Sequence, residues 1–121
     1  MCGIVGYWGP QDPKDVLLKG LKTLEYRGYD SAGVAIYNKD QFDIHRAAGK
    51  LVQLADKVAN EAFSGSIGIG HTRWATHGQP TVNNAHPHKV GGVSLVQNGI
   101  IENYAELKEE LVAQGAQFLS D

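Results

Sequence analysis

The only cysteine of the chain, Cys2, stands directly after the initiator methionine and opens the apolar run CGIVGYW. A small second residue permits removal of Met1, and Cys2 then carries a free α-amino group beside its thiol. That amine has an ordinary pKa of about 7.7–8.0, close to the pH at which a general base works best. A nucleophile whose base is its own N-terminus is a recognised arrangement. A cysteine in an apolar strand is also often just a small buried hydrophobic residue, so position alone leaves both interpretations open.

A thiol that attacks an amide carbonyl needs hydrogen-bond donors for the oxygen that becomes negatively charged. Asn98 and Gly99 stand at the end of a predicted strand and can supply a side-chain amide and an unobstructed backbone N–H. Asn-Gly is also the strongest short signal for a hairpin turn. Taken alone, the pair indicates a turn; beside a nucleophile it indicates an oxyanion site.

The segment HTRWATHG (71–78) places Arg73, Trp74, Thr76 and His77 in one loop after a predicted strand. Arginine is suited to bidentate capture of a carboxylate, and a neighbouring tryptophan can close over a site and exclude water. The same residues also suit a solvated loop anchored by a core tryptophan. Together with Cys2 they favour a substrate site.

Two further interpretations use the histidines. A zinc site could take Cys2, His77, His86 and His88 as ligands, although their spacing fits no common zinc pattern. A general thiol hydrolase could use His77 or His86 as the base for Cys2, and replacing that histidine would then abolish acylation. The N-terminal-amine mechanism instead predicts that retention of Met1 does so.

The first half of the chain is predicted to form strands and helices that are bounded by turn residues. Cys2–Trp8 is typical of a strand, and Asp12 followed by Pro13 predicts the start of a helix that runs to about Glu25. The pattern then predicts a loop over Tyr26–Gly33, two strands in AGVAIYN and QFDIHRAAG, and a helix carrying Leu51 to Ala62.

The second half continues with a strand in SIGIGHTRWA, a loop in HGQPTVNNAHPH and a strand in VSLVQNGII. Asn103 and Glu106 match a capping box for a third helix, Gly115 matches its C-terminal stop, and QFLSD is expected to begin another strand. Because strands twice follow one another directly, the sequence predicts antiparallel sheets in an α+β fold.

Composition excludes several classes of protein. A chain of 121 residues is one small domain or part of a larger one. Its formal net charge of −2 offers no basic surface to nucleic acid or acidic membranes. No apolar run reaches the roughly 18 residues of a membrane span, and the first basic residue, Lys14, comes too late for a signal peptide. A single cysteine suits a reducing compartment, so we expect a cytoplasmic protein.

The motifs MCGIVG, LEYRGYDSAG, GHTRWATHG, NAHPH and NGIIEN occur here in order. With them the chain resembles, over nearly its whole length, the N-terminal glutaminase domain of the glutamine–fructose-6-phosphate aminotransferase family. These are class II glutamine amidotransferases of the N-terminal-nucleophile superfamily. MCGI alone is shared with other amidotransferases, whereas EYRGYDSAG with HTRWATHG and NAHPH is specific to the aminotransferase branch.

The resemblance implies roles for particular residues. Cys2, freed of Met1, attacks the side-chain amide of L-glutamine, and Asn98 and Gly99 hold the oxyanion of the γ-glutamyl thioester pathway. It further implies that Arg73 grips the glutamine α-carboxylate with help from Trp74, Thr76 and His77, that Trp74 gates the ammonia route, that Arg27 lies near the cysteine, and that His86 supports the loop.

The resemblance also implies a four-layer αββα sandwich of two antiparallel sheets, an enzyme without metal or organic cofactor, and no nucleic-acid or membrane partner. The ammonia would serve a sugar isomerase domain or subunit that uses fructose 6-phosphate to make glucosamine 6-phosphate. A homodimer is compatible with this assembly.

Departures from the family pattern qualify the resemblance. Gln97 replaces a usual histidine, which we expect to tune the oxyanion site. The family domain is about twice as long, so the chain is expected to be its N-terminal portion, without the aspartate that binds the glutamine α-amino group. If Met1 were retained, the base would be an amide. The alternative is therefore a catalytically silent fragment that needs a partner or the remaining half to fold.

Overall fold

The computed structural model describes residues 1–121 and contains two antiparallel sheets and three α-helices. In chain order the elements are β1 (Gly3–Trp8), α1 (Pro13–Leu24), β2 (Ser31–Asn38), β3 (Gln41–Ala48), α2 (Leu51–Val58), β4 (Ile67–Arg73), β5 (His88–Val90), β6 (Val93–Leu95) and α3 (Tyr104–Ala113). Short 3₁₀ turns occupy Glu25–Arg27 and Val82–Asn84.

The main sheet has the order β1-β4-β2-β3, and every neighbouring pair is antiparallel. Thr72 of β4 lies opposite Gly3 on one side and Ala32 on the other. The start of β1, the start of β2 and the end of β4 therefore lie side by side at one end of the sheet. Residues just outside these strand ends, among them Cys2 and Trp74, are brought together there.

The hydrophobic core lies between this sheet and the helices α1 and α2. Leu17 and Leu21 of α1 are completely buried, and they press against β4, where Gly68 and Gly70 leave room for them. The buried members of the core are Leu17, Leu21, Ala32, Val34, Ile36, Ala47, Leu51, Leu54 and Val58. Since side chains alternate along a strand, residues 69, 71 and 73 of β4 point to the opposite face.

That opposite face is partly covered by the chain before β5. The carbonyl oxygen of His86 approaches β2 so closely that a Cβ on Gly33 would stand 2.1 Å from it. Ala85 is fully buried there, and β5 pairs with β6 as a two-stranded ribbon. The helix α3 lies on this side, and none of its residues is buried.

The predicted α+β class with antiparallel sheets is confirmed. Asp12 caps α1 by accepting a hydrogen bond from the Lys14 N–H, and Pro13 is the first helical residue. Gly115, with φ of +95°, ends α3 as predicted, and the Ala116 N–H bonds to the Leu111 carbonyl.

Several predicted boundaries were wrong. The loop expected over Tyr26–Gly33 is shorter, because β2 already begins at Ser31. The helix expected to carry Ala62 ends at Val58, and the strand expected to reach Asn98 ends at Leu95. The strand β5 was not predicted.

Two predicted local features do not form. Asn103 stands before α3, but its backbone is not extended and its side chain makes no capping bond, so the capping box is absent. QFLSD forms no strand. The longest helix, α1, has 12 residues and is too short to span a bilayer.

Gly33→Ala tests the close approach of His86 to β2. The added methyl group would collide with backbone, so we expect a loss of roughly 1–3 kcal/mol in the free energy of unfolding. Urea denaturation measures it. The control is Gly6→Ala in β1, where nothing lies within 4 Å of the new Cβ. Equal stabilities for the two variants would contradict the packing described.

Candidate active site

A cleft of about 1410 Å³ opens at the end of the sheet where β1 begins and β4 ends. It brings together every residue that the sequence analysis singled out for the amidase chemistry. The lining includes Cys2, Arg27, Arg73, Trp74, Thr76, His77, His86, Asn98 and Gly99. His88 lines the same cleft.

Cys2 is half-buried at the cleft and is held by backbone and amide groups. The Trp74 N–H donates to the Cys2 Sγ over 3.3 Å. The Asn98 Nδ2 donates to the Cys2 carbonyl oxygen over 3.1 Å. Neither His77 nor His86 is a hydrogen-bond partner of the thiol, so the contacts offer no support for a histidine base.

The backbone of Trp74 is positioned by the YRGYD segment. The Asp30 carboxylate accepts hydrogen bonds from the Ala75 N–H and from Ser31 Oγ, and the Asp30 N–H donates to the Arg73 carbonyl over 3.1 Å. Trp74 is 46% exposed, and its ring contacts that of Tyr29, with 5.6 Å between the centroids. The tryptophan is thus fixed at its backbone while its ring borders the open cleft.

Arg73 is 6% exposed and organises the loop that follows it. Its guanidinium donates to the Gln79 carbonyl over 2.9 Å, to the Gly78 carbonyl over 3.2 Å, and to the His77 carbonyl. Five N–H donors are available on an arginine, so part of the group is not committed to these three carbonyls.

Asn84 ties the same loop to a more distant part of the chain. Its Nδ2 donates to the Gln79 carbonyl over 3.0 Å and to the Asp121 carboxylate over 2.8 Å. Its Oδ1 accepts from the Asp121 N–H over 2.8 Å. Hydrogen bonding by Asn84 is the main reason that the pKa of Asp121 is lowered.

Asn98 and Gly99 lie next to the cysteine in the loop after β6. The Asn98 Oδ1 is 3.0 Å from Nε2 of His71, which is also 3.2 Å from the Gln97 carbonyl. Gly99 has φ of +105°, a conformation that favours glycine. Gln97 turns its amide onto the Asn98 carbonyl at 2.9 Å.

Three histidines stack behind this loop. His86 stacks on His71 at 4.4 Å and meets His88 edge-to-face at 4.5 Å, measured between ring centroids. The pKa of His86 is lowered to about 3, chiefly by burial and additionally by the neighbouring His71 and His88. Burial also lowers the pKa of His71 and of His88. The stack is therefore uncharged at neutral pH.

The remaining candidates occupy the rim of the site. Arg27 donates to the Met1 sulfur over 3.7 Å, and its Nε is buried without a partner. His77 packs on Tyr104 of α3 at 4.6 Å, and Thr76 is exposed. No group of three or more histidine, cysteine or carboxylate side chains is arranged to hold a metal ion.

Sequence reasoning missed three residues that position the site: His71, Asp30 and Asn84. His71 and Arg73 are two residues apart on a predicted strand, and this spacing places both on one face. That signal could have drawn attention to His71. The sequence around Asp30 and Asn84 does not predict their long-range partners, Ala75 and Asp121.

The chain was compared with known proteins. It is 58% identical over 120 residues to the glutamine–fructose-6-phosphate aminotransferase [isomerizing] of Acinetobacter baylyi, with 99% of the chain covered. It is 54% identical over 123 residues to the enzyme of the same name from Thermus thermophilus, with 100% of the chain covered. The chain spans only 20% of the length of each relative. No family model matches it.

Two solved structures share the fold. One is a glutamine phosphoribosylpyrophosphate amidotransferase from B. subtilis complexed with ADP and GMP, at 25% identity and a TM-score of 0.80. The other, described as the allosteric regulatory enzyme of purine biosynthesis, has 26% identity and a TM-score of 0.83. Each comparison covers 98% of this chain and 26% of the other. The resemblance drawn from the sequence motifs is confirmed.

The histidine stack predicts a loss of stability in acid. His86 takes up a proton near its ordinary pKa of about 6.5 when unfolded, but only at about 3 when folded. The unfolded state therefore binds more protons between these values, and the free energy of unfolding falls as the pH drops through this window. At about pH 5, His86 lowers the free energy of unfolding by up to roughly 2 kcal/mol.

Urea denaturation of the unmodified chain and of His86→Gln at about pH 7 and about pH 5 measures this effect. The variant should lose less stability on acidification. His45→Gln is the control, because His45 packs on Phe63 away from the stack. The same pH dependence in the chain and both variants would contradict the prediction.

Proposed function

We propose that this chain, homologous over its full length to part of the glutamine–fructose-6-phosphate aminotransferases, is the glutamine-hydrolysing portion of such an enzyme. It would be the N-terminal part of a class II glutamine amidotransferase domain. The observation that carries the proposal is the convergence on Cys2 of the Trp74 N–H and the Asn98 amide.

The reaction begins after removal of Met1. The Cys2 Sγ attacks the side-chain carbonyl carbon of L-glutamine, and the thiol proton passes to the freed α-amino group, directly or through water. With Met1 in place that nitrogen is a peptide amide and cannot accept the proton. The new C–S bond leaves a tetrahedral carbon with a negatively charged oxygen.

That oxygen is stabilised by the Asn98 amide and the Gly99 N–H, which stand beside Cys2 in the same cleft. The carbon–nitrogen bond then breaks, the nitrogen takes the proton back from the α-amine, and ammonia leaves. Water attacks the resulting γ-glutamyl thioester, releasing glutamate and restoring the thiol. These steps require no group other than the side chains and backbone named.

We assign substrate binding to the loop held by Arg73. Its three bonds to residues 77–79 shape the loop, and its remaining donors are available for the glutamine α-carboxylate. Trp74, Thr76 and His77 complete the binding side of the cleft with Arg27, while His86 supports it from behind. The Trp74 ring, exposed at the rim, would gate the passage of ammonia to a sugar isomerase domain or subunit that uses fructose 6-phosphate in the cytoplasm.

The mass of the intact protein tests the proposal. We expect Met1-free protein to form one adduct, on its only thiol, with the diazoketone analogue of glutamine, and excess glutamine to block it. Iodoacetamide labelling reports whether the thiol is accessible at all. A protein that reacts with iodoacetamide but not with the diazoketone would contradict a glutamine site.

Turnover of glutamine provides the second readout of the same proposal. Asn98→Ala should lower kcat for glutamate release by roughly 10²–10³-fold, the typical cost of one oxyanion donor. Asn103→Ala is the matched control, because the Asn103 side chain makes no capping bond. Unchanged turnover in Asn98→Ala would exclude Asn98 from the oxyanion site.

A second candidate function is favoured by the exposed apolar surface around α3. Leu107, Leu111 and Val112 are all exposed on a helix with no buried residue, and Val93 and Leu95 of the ribbon are exposed as well. Exposed apolar surface of this kind marks an interaction site. In this case the chain is catalytically silent until a partner, a second copy or a further part of the domain covers the helix.

Light scattering over a range of protein concentrations tests this candidate. We expect self-association that Leu111→Glu abolishes, since a buried charge would destabilise the contact. Val52→Glu on α2 is the control for placing a charge at an exposed apolar position. A monomer that unfolds cooperatively and turns over glutamine at every concentration would contradict a silent fragment.

A further inference from the structure

His71 makes a contact that the chemistry outlined for Cys2 does not use. Its side chain is fully buried, and its Nε2 lies within hydrogen-bond distance of two oxygens, the Asn98 Oδ1 at 3.0 Å and the Gln97 carbonyl at 3.2 Å. Both partners are acceptors, so Nε2 must carry the hydrogen. A histidine with a proton on this nitrogen alone is neutral, and the other nitrogen is then an acceptor.

The surroundings of the ring agree with this neutral form. Nδ1 is buried without a partner, and a second proton there would have no acceptor. The ring stacks on His86 and lies opposite Gly33 in the sheet, a residue that has no side chain of its own. Arg73, two residues on, disfavours a positive charge. The ring is thus fixed in position by the strand and in protonation by its environment.

This contact decides which way the Asn98 amide faces. The oxygen and nitrogen of an asparagine amide are nearly the same size, so a half-turn of the group exchanges a donor for an acceptor at almost no steric cost. With Oδ1 held by His71, Nδ2 must face Cys2, and it donates to the Cys2 carbonyl over 3.1 Å. Its second hydrogen remains for a substrate oxygen. In the reversed orientation an amide oxygen would face that oxygen and repel it.

We propose that His71 is a positioning residue that fixes the donor face of the Asn98 amide toward the substrate through its Nε2–H. The inference rests on the proposed glutaminase function, since the orientation matters to catalysis only if Asn98 stabilises an oxyanion. His71 does not touch the reacting atoms. Its effect is to remove the unproductive rotamer of Asn98 before glutamine binds.

Substitution of His71 tests the catalytic consequence. His71→Leu removes the donor, and kcat for glutamine hydrolysis should fall roughly ten- to a hundredfold, below the cost of losing the amide itself, with KM little changed. His71→Gln restores most of the rate, because its amide nitrogen reaches the position of Nε2. His45→Leu, on the other face of the sheet, is the control for loss of a histidine. A His71→Leu rate within about twofold of the unmodified chain would overturn the proposal.

The tautomer of His71 provides a test that needs no activity. Nitrogen-15 chemical shifts of the folded, unmodified chain should show His71 with a protonated Nε2 and a bare Nδ1 at neutral pH. An Nδ1–H tautomer or an imidazolium would overturn the proposal. If the chain hydrolyses no glutamine, the proposed function fails, and the tautomer still decides whether the contact with Asn98 exists.

Discussion

The antiparallel pairing of β1 with β4 is the constraint on which the site depends. It sets Gly3 against Thr72, so the residues one step outward, Cys2 and the Arg73–Trp74 pair, are neighbours before any side chain contributes. The hydrogen bond from the Trp74 N–H to the Cys2 sulfur continues the contact between the two chain segments beyond the ends of β1 and β4. A slip of one residue would turn Cys2 to the helix side. The buried leucines of α1, which fit over the glycines of β4, hold the register.

Around that pairing the site is built mostly from backbone groups held by side chains that carry no reaction themselves. Asp30 holds the Ala75 amide, Arg73 holds the carbonyls of the next loop, and His71 holds Asn98. The Asp30 contact joins chain ends that the main sheet has brought close, the Arg73 contacts shape the loop that follows β4, and the His71 contact ties the main sheet to the loop after β6. The cleft is therefore largely formed without substrate, which lowers the entropic cost of binding.

Local sequence patterns predict those helix ends and strands that are determined by residues close to them in the sequence. Pro13 after a capping aspartate and Gly115 at a helix end are such residues, and both were confirmed. The capping box at Asn103 failed because its backbone adopts another conformation. The strand β5 is only three residues long, too short to show alternation. The motifs brought Cys2, Arg73 and Asn98 to attention, but the roles of Asp30 and Asn84 depend on partners far away in the sequence.

The two faces of β4 contact different parts of the protein. Because side chains alternate along a strand, even-numbered residues lie on one face and odd-numbered residues on the other. Gly68 and Gly70 meet the leucines of α1, whereas His71 and Arg73 serve the cleft. Along this strand, positions 68 and 70 pack on the helix α1, and positions 71 and 73 face the cleft. Selection therefore acts differently on the two faces. In a relative that kept this fold but lost the proposed glutaminase activity, we expect residues 71 and 73 to vary, whereas residues 68 and 70 remain small.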